Sequence, residues 1–476
     1  MPPRALQTAS LSLLLAAACG RPDISAPPPR DTQPPPGDTV DSEAPPATGD
    51  SAAEQVGDLV FHEIPILMID TAGQEIPDDE KIDAHMVVVS DHDGSLEDLE
   101  TAGRTWDGPI GIELHGSSSS SYEKTGYRVE TRNEVGADLD YPLLGLPSES
   151  DWVLHGPYSD KTLLRNALAY TVGAQVAEGT GEYQPRIAFC ELFLNADYRG
   201  IYLLVERVKR SPVRLDLPAP APTSAAGDIT GSYIVRVDQN RNDGWISAQG
   251  TLIDWIYPRA DTITAQQDAY LRAWFDDFEA MLAAPGWDDP AAGYPRWIVT
   301  ESFADHFLVN ELAKNIDAYR LSAYLYKDAD ADGGRLHAGP LWDFDRAWGN
   351  VNYCDCQYAS GWIIDGLTDA GYRYQYPGWW LQLLEDPAFQ DQLRCRWEAL
   401  RLAQLSDEAL LTTIDELAAI VAAIQPRDDE RWHTIGAQIE PNWYVGETWD
   451  EELDYLRSWL LERTAWLDAN LPGSCG

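Results

Sequence analysis

Positive charge is scarce in this sequence. Its 476 residues include 34 lysines and arginines against 78 aspartates and glutamates, which gives a formal net charge of -44 at pH 7. Such a chain repels nucleic acid and anionic membrane surfaces, so we expect no nucleic-acid partner. The same shortage means that any nucleotide site must provide its own local lysine, arginine or divalent cation.

Long apolar runs are also scarce. One short run, residues 11–18, follows Arg4 and ends in small residues before Cys19. It is too short to span a bilayer and predicts a secretory signal over residues 1–19. A cysteine directly after small residues is typical of a lipoprotein cleavage site, so we expect a lipid anchor through Cys19, with simple secretion as the alternative. No other segment reaches the ~20 uninterrupted apolar residues of a membrane span.

The next segment, residues 20–57, is rich in Pro, Asp, Ser, Thr and Ala and has almost no large apolar side chain. This composition predicts a disordered linker. Residues 58–476 then form the folded domain. We expect this domain to sit in the cell envelope, exported and tethered on the periplasmic or the cell-surface side.

Cysteines outside the signal are few, and export would place them in an oxidising compartment. They are Cys190, Cys354, Cys356, Cys395 and Cys475. No second closely spaced cysteine pair and no nearby histidine completes a zinc set with Cys354 and Cys356. We therefore expect two structural disulfides of unknown connectivity and one spare thiol.

The folded part divides into a β-rich and a helical half. Short β-like runs separated by turn-forming clusters extend from about residue 59 to residue 257, interrupted by one helical pattern at 160–176. After residue 266 the apolar spacing becomes helical in five segments: 268–282, 297–314, 391–404, 407–424 and 450–471. The pattern predicts an α+β fold.

Three aspartates stand out among apolar and aromatic neighbours. Asp317 follows the predicted helix 297–314 and precedes a predicted strand, and a polar turn then leads to Asp343 and Asp345 in the sequence WDFD at 342–345. A hairpin here would bring all three to the same end of two strands. In phosphoryl transfer one carboxylate positions a hydroxyl and another holds a metal ion on the phosphates. The structural alternative is that Asp343 and Asp345 accept loop hydrogen bonds or pair with Arg346.

Candidate phosphate-binding cations lie in the β-rich half. Lys124, after a run of five serines, is the leading one, and Arg165 is another. Lone cations of this kind are also common as solvated surface groups. Glu206 ends an apolar strand and could pair with such a lysine, or it could face water at a sheet edge.

Taken together, these segments resemble the CotH family of secreted kinases, which have an atypical protein-kinase fold. The resemblance covers residues 59–471. Its motifs, in chain order, are HGSS at 115–118 before Lys124, DKTLLRN at 160–166, NADYRGIY at 195–202 with Glu206, NID at 315–317 and WDFDRAWG at 342–349.

The resemblance implies a role for each candidate. Asp317 takes the place of the catalytic-loop aspartate, and Asp343 and Asp345 take the place of the motif that binds Mg or Mn, with either of the two as the metal contact. Lys124, with Glu206 as its partner, takes the place of an ATP-phosphate ligand. The implied activity is transfer of the ATP γ-phosphoryl group to Ser or Thr of an envelope or surface protein.

The sequence departs from the family and kinase patterns at several positions. Glu123 and Thr125 flank Lys124 where the family has Pro and Lys, and Ser322 stands where a kinase catalytic loop has an asparagine. The alternative function is a non-catalytic tethered module that binds envelope protein or glycan.

Overall fold

The computed structural model describes residues 64–78, 80–90, 103–116, 121–238, 243–371 and 376–476. The predicted signal segment with Cys19, the predicted linker at 20–57 and most of the serine run, residues 117–120, lie outside the described residues.

Seven strands of the N-terminal half form a closed barrel in the order β1-β2-β3-β4-β5-β7-β6. Their bounds are β1 Ile66–Asp70, β2 Ile82–Val89, β3 Arg104–His115, β4 Gly126–Thr131, β5 Asp151–His155, β6 Ile187–Leu194 and β7 Asp197–Glu206. Neighbours are antiparallel except β1 and β6, whose parallel pairing closes the barrel. Apolar side chains such as Met86, Ile112 and Trp152 fill it.

The predicted hairpin between β6 and β7 is confirmed. Its tip residues Asn195 and Ala196 both have positive φ, 53° and 64°. Two consecutive left-handed residues give a turn whose twist matches that of the flanking strands, and asparagine is among the residues that tolerate this conformation.

A second sheet of five strands, in the order β12-β11-β8-β10-β9, joins the two halves of the chain. The strands are β8 Tyr233–Val237, β9 Gly244–Ile246, β10 Leu252–Tyr257, β11 Ala323–Lys327 and β12 Leu336–Ala338. β11 and β12 pair antiparallel with Leu325 opposite Ala338, which confirms the hairpin predicted after Asp317.

The described residues contain nine α-helices. They are α1 Arg165–Val176, α2 Ala265–Leu282, α3 Thr300–Ala313, α4 Ile363–Asp369, α5 Trp379–Leu383, α6 Pro387–Arg401, α7 Asp407–Val421, α8 Gln425–Trp432 and α9 Trp449–Asn470. The five helices predicted after residue 266 correspond to α2, α3, α6, α7 and α9. The largest apolar core joins α1 and the later helices to the second sheet. The α+β prediction, with a β-rich first half and a helical second half, is confirmed.

The helix predicted from residue 160 begins later, at Arg165. The Asp160 carboxylate accepts hydrogen bonds from the backbone N–H groups of Thr162, at 3.1 Å, and Arg165, at 2.7 Å. Leu163 has a left-handed φ of 66°. Residues 160–164 therefore form a turn that the aspartate caps, and not a first helical turn.

The cysteine prediction is wrong in its count of free thiols. Cys395, in α6, forms a disulfide with Cys475 and ties the C-terminal segment to that helix. Cys190 and Cys356 are free and buried, so two thiols are spare and not one. Burial raises the pKa of both, to about 12 for Cys356, so neither is an activated nucleophile.

Within the described ranges no single helix is both long and apolar enough to cross a membrane. Helices α7 and α8 meet the length and composition requirement only as a pair, and they are bent by 71°.

Candidate functional site

Asp317 lies in the segment that leaves α3, and Asn315 links this segment to the Asp343 loop. The Asn315 side-chain oxygen accepts a hydrogen bond from the Asp317 N–H at 3.1 Å, and its amide donates to the Asp343 carbonyl at 3.4 Å. The Trp348 N–H donates to the carbonyl of Ala313, the last residue of α3, at 2.7 Å. The two acidic segments predicted to converge are therefore joined.

Helix α1 holds the Asp343 loop through backbone groups. The Asp343 N–H donates to the Tyr170 hydroxyl at 3.3 Å, and the Phe344 N–H donates to the Asn166 side-chain oxygen at 2.6 Å. Asn350 donates to the Asp345 carbonyl at 2.7 Å. These bonds fix the loop and leave the two carboxylates out of the loop's hydrogen bonding.

Few protein groups contact the carboxylates of Asp343 and Asp345. The Ser322 hydroxyl donates to Asp343 Oδ2 at 3.4 Å. Within the described ranges no backbone N–H donates to either carboxylate, and neither forms a salt bridge with Arg346. Arg346 therefore acts on these acids through its charge and not through a salt bridge. Asp343 and Ser322 also adopt left-handed φ values of 67° and 51°, a kind of strain that collects at functional sites.

Burial and neighbouring carboxylates raise the pKa of Asp343 and of Asp345. For Asp343 burial raises the pKa well above its usual value, and the charges of Asp345 and Asp317 raise it further. Burial also raises the pKa of Asp345, although the positive charges of Arg346 and His155 oppose the rise. We call Asp317, Asp343 and Asp345 the acid cluster. It is a buried set of like charges that a cation would relieve.

Asp317 differs from the other two because it has a counterion. Arg320, itself buried, donates to Asp317 Oδ1 at 2.8 Å. This ion pair orients the Asp317 carboxylate.

The donor set fits a hard divalent ion only in part. No group of three or more His, Cys, Asp or Glu side chains that could hold a metal is found among the described residues. Mg²⁺, however, is commonly held by one or two carboxylates together with substrate phosphates and water. Asp343 and Asp345 meet that smaller requirement.

Lys124 and Glu206 do not pair with each other, which corrects the pairing inferred from the sequence. Lys124 Nζ lies 2.6 Å from Asp428 Oδ1, and the lysine is 1% exposed. Asp428 belongs to α8, which packs on β7, and it also accepts the Ile201 N–H at 2.7 Å. The lysine has a buried acidic partner, as in a kinase, but that partner comes from α8.

Glu206, the last residue of β7, forms an ion pair with Arg186. Arg186 donates to both of its carboxylate oxygens at 2.8 Å, and the Tyr183 hydroxyl donates at 3.1 Å. Glu206 is fully buried and does not face water at a sheet edge. Its bidentate ion pair accounts for the acid without a nucleotide.

Arg165 is also committed to a structural pair. Its guanidinium lies 2.6 Å from Asp160 Oδ1, and the residue is 1% exposed. The Arg165 carbonyl accepts the indole N–H of Trp348 at 3.1 Å. The structure thus places Arg165 where it supports the loop that carries the acid cluster, with its charge already neutralised.

Two histidines and an arginine that were not predicted as site residues lie near the acid cluster. The His115 ring, at the end of β3, packs edge-on against Trp342, the residue before Asp343, with ring centroids 6.4 Å apart. Burial lowers the pKa of His115 well below its usual value, and four positively charged neighbours lower it further. Those neighbours are Arg128, His155, Arg207 and Arg236.

Arg236 connects these cations to the acids. It lies on β8 and binds Asp238 at 2.9 Å and Asp254 at 3.1 Å, and the charge of Asp238 contributes to the raised pKa of Asp343. Arg236 is therefore itself paired, and it is linked to the acid cluster through the charge of Asp238. His115 could have been predicted as a site residue from its place in the HGSS motif at the end of a strand. No sequence pattern marked Arg236.

The family comparison identifies the class as a kinase-like protein. The chain belongs to the CotH kinase family: the family model for the CotH kinase protein matches residues 112–467. That match runs from within β3 into α9 and includes the whole acid cluster. A search of curated proteins finds no match to the chain.

Proposed function

We propose that the protein is an atypical protein kinase that transfers the γ-phosphoryl group of ATP to a Ser or Thr hydroxyl of an envelope or surface protein, with Mg or Mn. In this proposal the barrel corresponds to the nucleotide-covering lobe and the helical half to the catalytic lobe. One observation carries it: beyond the effect of burial, the charges of Asp345 and Asp317 raise the pKa of Asp343, so the three acids lie near one another, and neither Asp343 nor Asp345 forms a salt bridge within the described part of the chain.

Asp343 and Asp345 are the residues that would hold the metal. When bound there, a divalent cation would neutralise the nucleotide phosphates. Ser322, five residues after Asp317, stands where a kinase has a second metal-binding asparagine, and its hydroxyl reaches Asp343 at 3.4 Å. The substitution therefore keeps an oxygen next to the metal-binding acids.

Asp317 is the proposed positioning base for the acceptor hydroxyl. Arg320 orients its carboxylate, and Asn315 fixes its backbone. A charged carboxylate can accept the hydroxyl hydrogen bond and orient the oxygen towards phosphorus.

We propose a revised set of phosphate-binding cations that adds Arg236. Arg236 is itself paired with Asp238 and Asp254, so a bound nucleotide would have to draw it from these partners. Lys124 remains a candidate phosphate ligand, with Asp428 as its partner. Glu206 and Arg165 stabilise the fold through their ion pairs with Arg186 and Asp160 and do not bind the nucleotide.

We also retain export and anchoring as proposals. The predicted signal at 1–19, the lipid on Cys19 and the linker at 20–57 would tether the kinase-like domain at the cell envelope, within reach of surface acceptors.

The test is calorimetric titration of the full chain with ATP and Mn, followed by ADP release with dephosphorylated casein as a Ser-rich probe acceptor. Asp343→Ala should abolish metal-dependent ATP binding. Asp317→Ala should keep ATP affinity within about threefold and reduce ADP release about a thousandfold. Asp415→Ala, an exposed acid paired with Arg457, is the matched control and should change neither.

A non-catalytic module remains the second candidate because Lys124 and Asp317 are both already in ion pairs. Absence of ATP binding with Mn and with Mg would overturn the kinase proposal. ATP binding without ADP release in the wild type would favour the non-catalytic module.

A further inference from the structure

A cavity of about 390 Å³ lies on the helical half, outside the acid cluster. Residues 357–360 form one wall and α9 forms the other, with Trp443 beside them. The volume is that of an ordinary small-ligand site. We call it the aromatic cavity after five of its lining residues: Tyr358, Trp443, Tyr455, Trp459 and Trp466.

Two buried cations hold the loop wall in place. Lys314 donates to the carbonyls of Asp355, Tyr358 and Ser360 at 2.6, 3.1 and 2.6 Å. Arg463 donates to the carbonyls of Ala359 and Gly361 at 2.8 and 2.6 Å. Because these bonds fix the loop backbone, the wall is already formed without a ligand, which lowers the ordering cost of binding.

The rings present carbon surfaces to the cavity. The Trp459 indole N–H donates to the Gln357 carbonyl at 2.9 Å, and the Tyr455 hydroxyl donates to the Gly349 carbonyl at 2.9 Å. Their polar atoms are therefore already bonded within the protein. Trp443 and Tyr358 are 48% and 43% exposed and pack edge-to-face with centroids 6.0 Å apart. They form an aromatic surface open to solvent.

The polar groups of the cavity are mainly hydrogen-bond acceptors. In the part of the chain that the structure describes, the buried side-chain oxygen of Gln357 has no hydrogen-bond partner. Glu462 adds a carboxylate and Ser458 a hydroxyl. Because the Gln357 oxygen is buried, a ligand reaches only Glu462 and Ser458, which suit a ligand with several O–H donors.

The charges around the cavity disfavour ions as ligands. No lysine or arginine is among its lining residues, so nothing there pairs with an anion. For an organic cation the one opposite charge in the lining is Glu462, and the Trp466 ring is already covered by Arg463, which stacks over it at 4.8 Å. A neutral, hydroxyl-rich ligand remains.

We propose that the aromatic cavity binds a neutral oligosaccharide. The C–H faces of the sugar ring pack against Trp443 and Tyr358, while sugar hydroxyls hydrogen-bond to Glu462 and Ser458. This binding does not rest on phosphoryl transfer, because no acid-cluster residue lines the cavity.

The test is tryptophan fluorescence titration of the full chain with cellohexaose, maltohexaose and chitohexaose. At least one should bind, and Trp443→Ala and Tyr358→Ala should each weaken binding about tenfold or more. Leu402→Ala removes an 88% exposed apolar side chain elsewhere and should change nothing. Calorimetric titration replaces fluorescence for Trp443→Ala.

Two further comparisons separate this proposal from its rivals. Glu462→Gln keeps the acceptor oxygen and should keep sugar binding within about threefold, whereas tetramethylammonium binding lost in this variant would identify a cation site and overturn the proposal. Failure of all three sugars to bind would also overturn it. Asp343→Ala should leave sugar binding unchanged, so failure of the kinase proposal is distinguishable.

Discussion

Two buried acidic sites in this molecule are built in opposite ways. Glu311, at the C-terminal end of α3, lies 3.3 Å from the Arg463 guanidinium and accepts the N–H groups of Ile363 and Ile364 at 2.8 and 3.2 Å. Asp343, by contrast, accepts one long bond from Ser322 at 3.4 Å and has carboxylates as neighbours.

The two acids differ in the groups that counteract the effect of burial on their pKa. Burial raises the pKa of both acids, but Arg463 and two backbone donors counteract the rise at Glu311, while Asp345 and Asp317 add to it at Asp343. Buried charges that the fold needs are neutralised within the fold. An acid left in repulsive surroundings is a candidate for ligand binding. The predictions below test this contrast.

The largest expected effect comes from breaking the neutralised site. Glu311→Ala leaves Arg463 buried without its acid and should cost about 3–5 kcal/mol of unfolding free energy. Glu398→Ala, an exposed acid on α6 near Arg394, is the control and should cost less than about 0.5 kcal/mol. Urea unfolding of the full chain measures both. A loss below about 1 kcal/mol for Glu311→Ala would contradict the contrast.

The next effect concerns Lys124, which the structure places in a neutralised pair. Lys124→Met leaves the buried Asp428 carboxylate without its ion-pair partner and should destabilise the protein by about 3 kcal/mol. The double variant with Asp428→Asn should recover about half of that loss, because no uncompensated charge remains. Unchanged stability of the single variant, together with weaker ATP binding, would instead show Lys124 to be a ligand-facing cation.

A smaller effect is expected from His337 on β12, which is held between two acids. Burial lowers its pKa, but hydrogen bonds to Asp328 and Glu182 outweigh burial and raise the pKa to about 9. Because the pKa is higher in the folded state, its stabilisation is complete below about pH 6.5 and is lost as pH rises through 9. His337→Gln should cost about 2 kcal/mol at pH 6 and almost nothing at pH 10. A pH-independent loss in urea unfolding would count against this.

Local patterns were predictable from the sequence and long-range pairings were not. The hairpin after Asp317 followed from two short strands around a polar turn, so convergence with Asp343 could be expected. The pairing of Lys124 with Asp428 could not be predicted, because Asp428 is 304 residues away. Asp428 also lies on the short, polar helix α8, which has too few apolar residues to show a helical pattern in the sequence. The parallel pairing of β1 with β6 likewise depends on barrel closure.

The same limit applies to the candidate site. WDFD at 342–345 marked the metal-binding acids through an unusual mixture of carboxylates and aromatic residues. Arg236 and His115 became candidates only when β8 and β3 were placed beside the Asp343 loop, since single cations carry no recognisable pattern. Arg165 lies near the site, but its guanidinium pairs with Asp160. It therefore supports the loop of the acid cluster and does not bind phosphate.

The central claim is that the acid cluster is destabilising until a cation binds. Thermal unfolding of wild type and Asp343→Asn, each in EDTA and in ATP with Mn, tests it most directly, because asparagine tolerates the left-handed φ at this position. In EDTA at pH 7 the variant should unfold roughly 1–2 °C above wild type, since a buried charge is removed. With ATP and Mn the order should reverse, because only wild type gains stability from the ligand. The same order in both conditions would contradict the account.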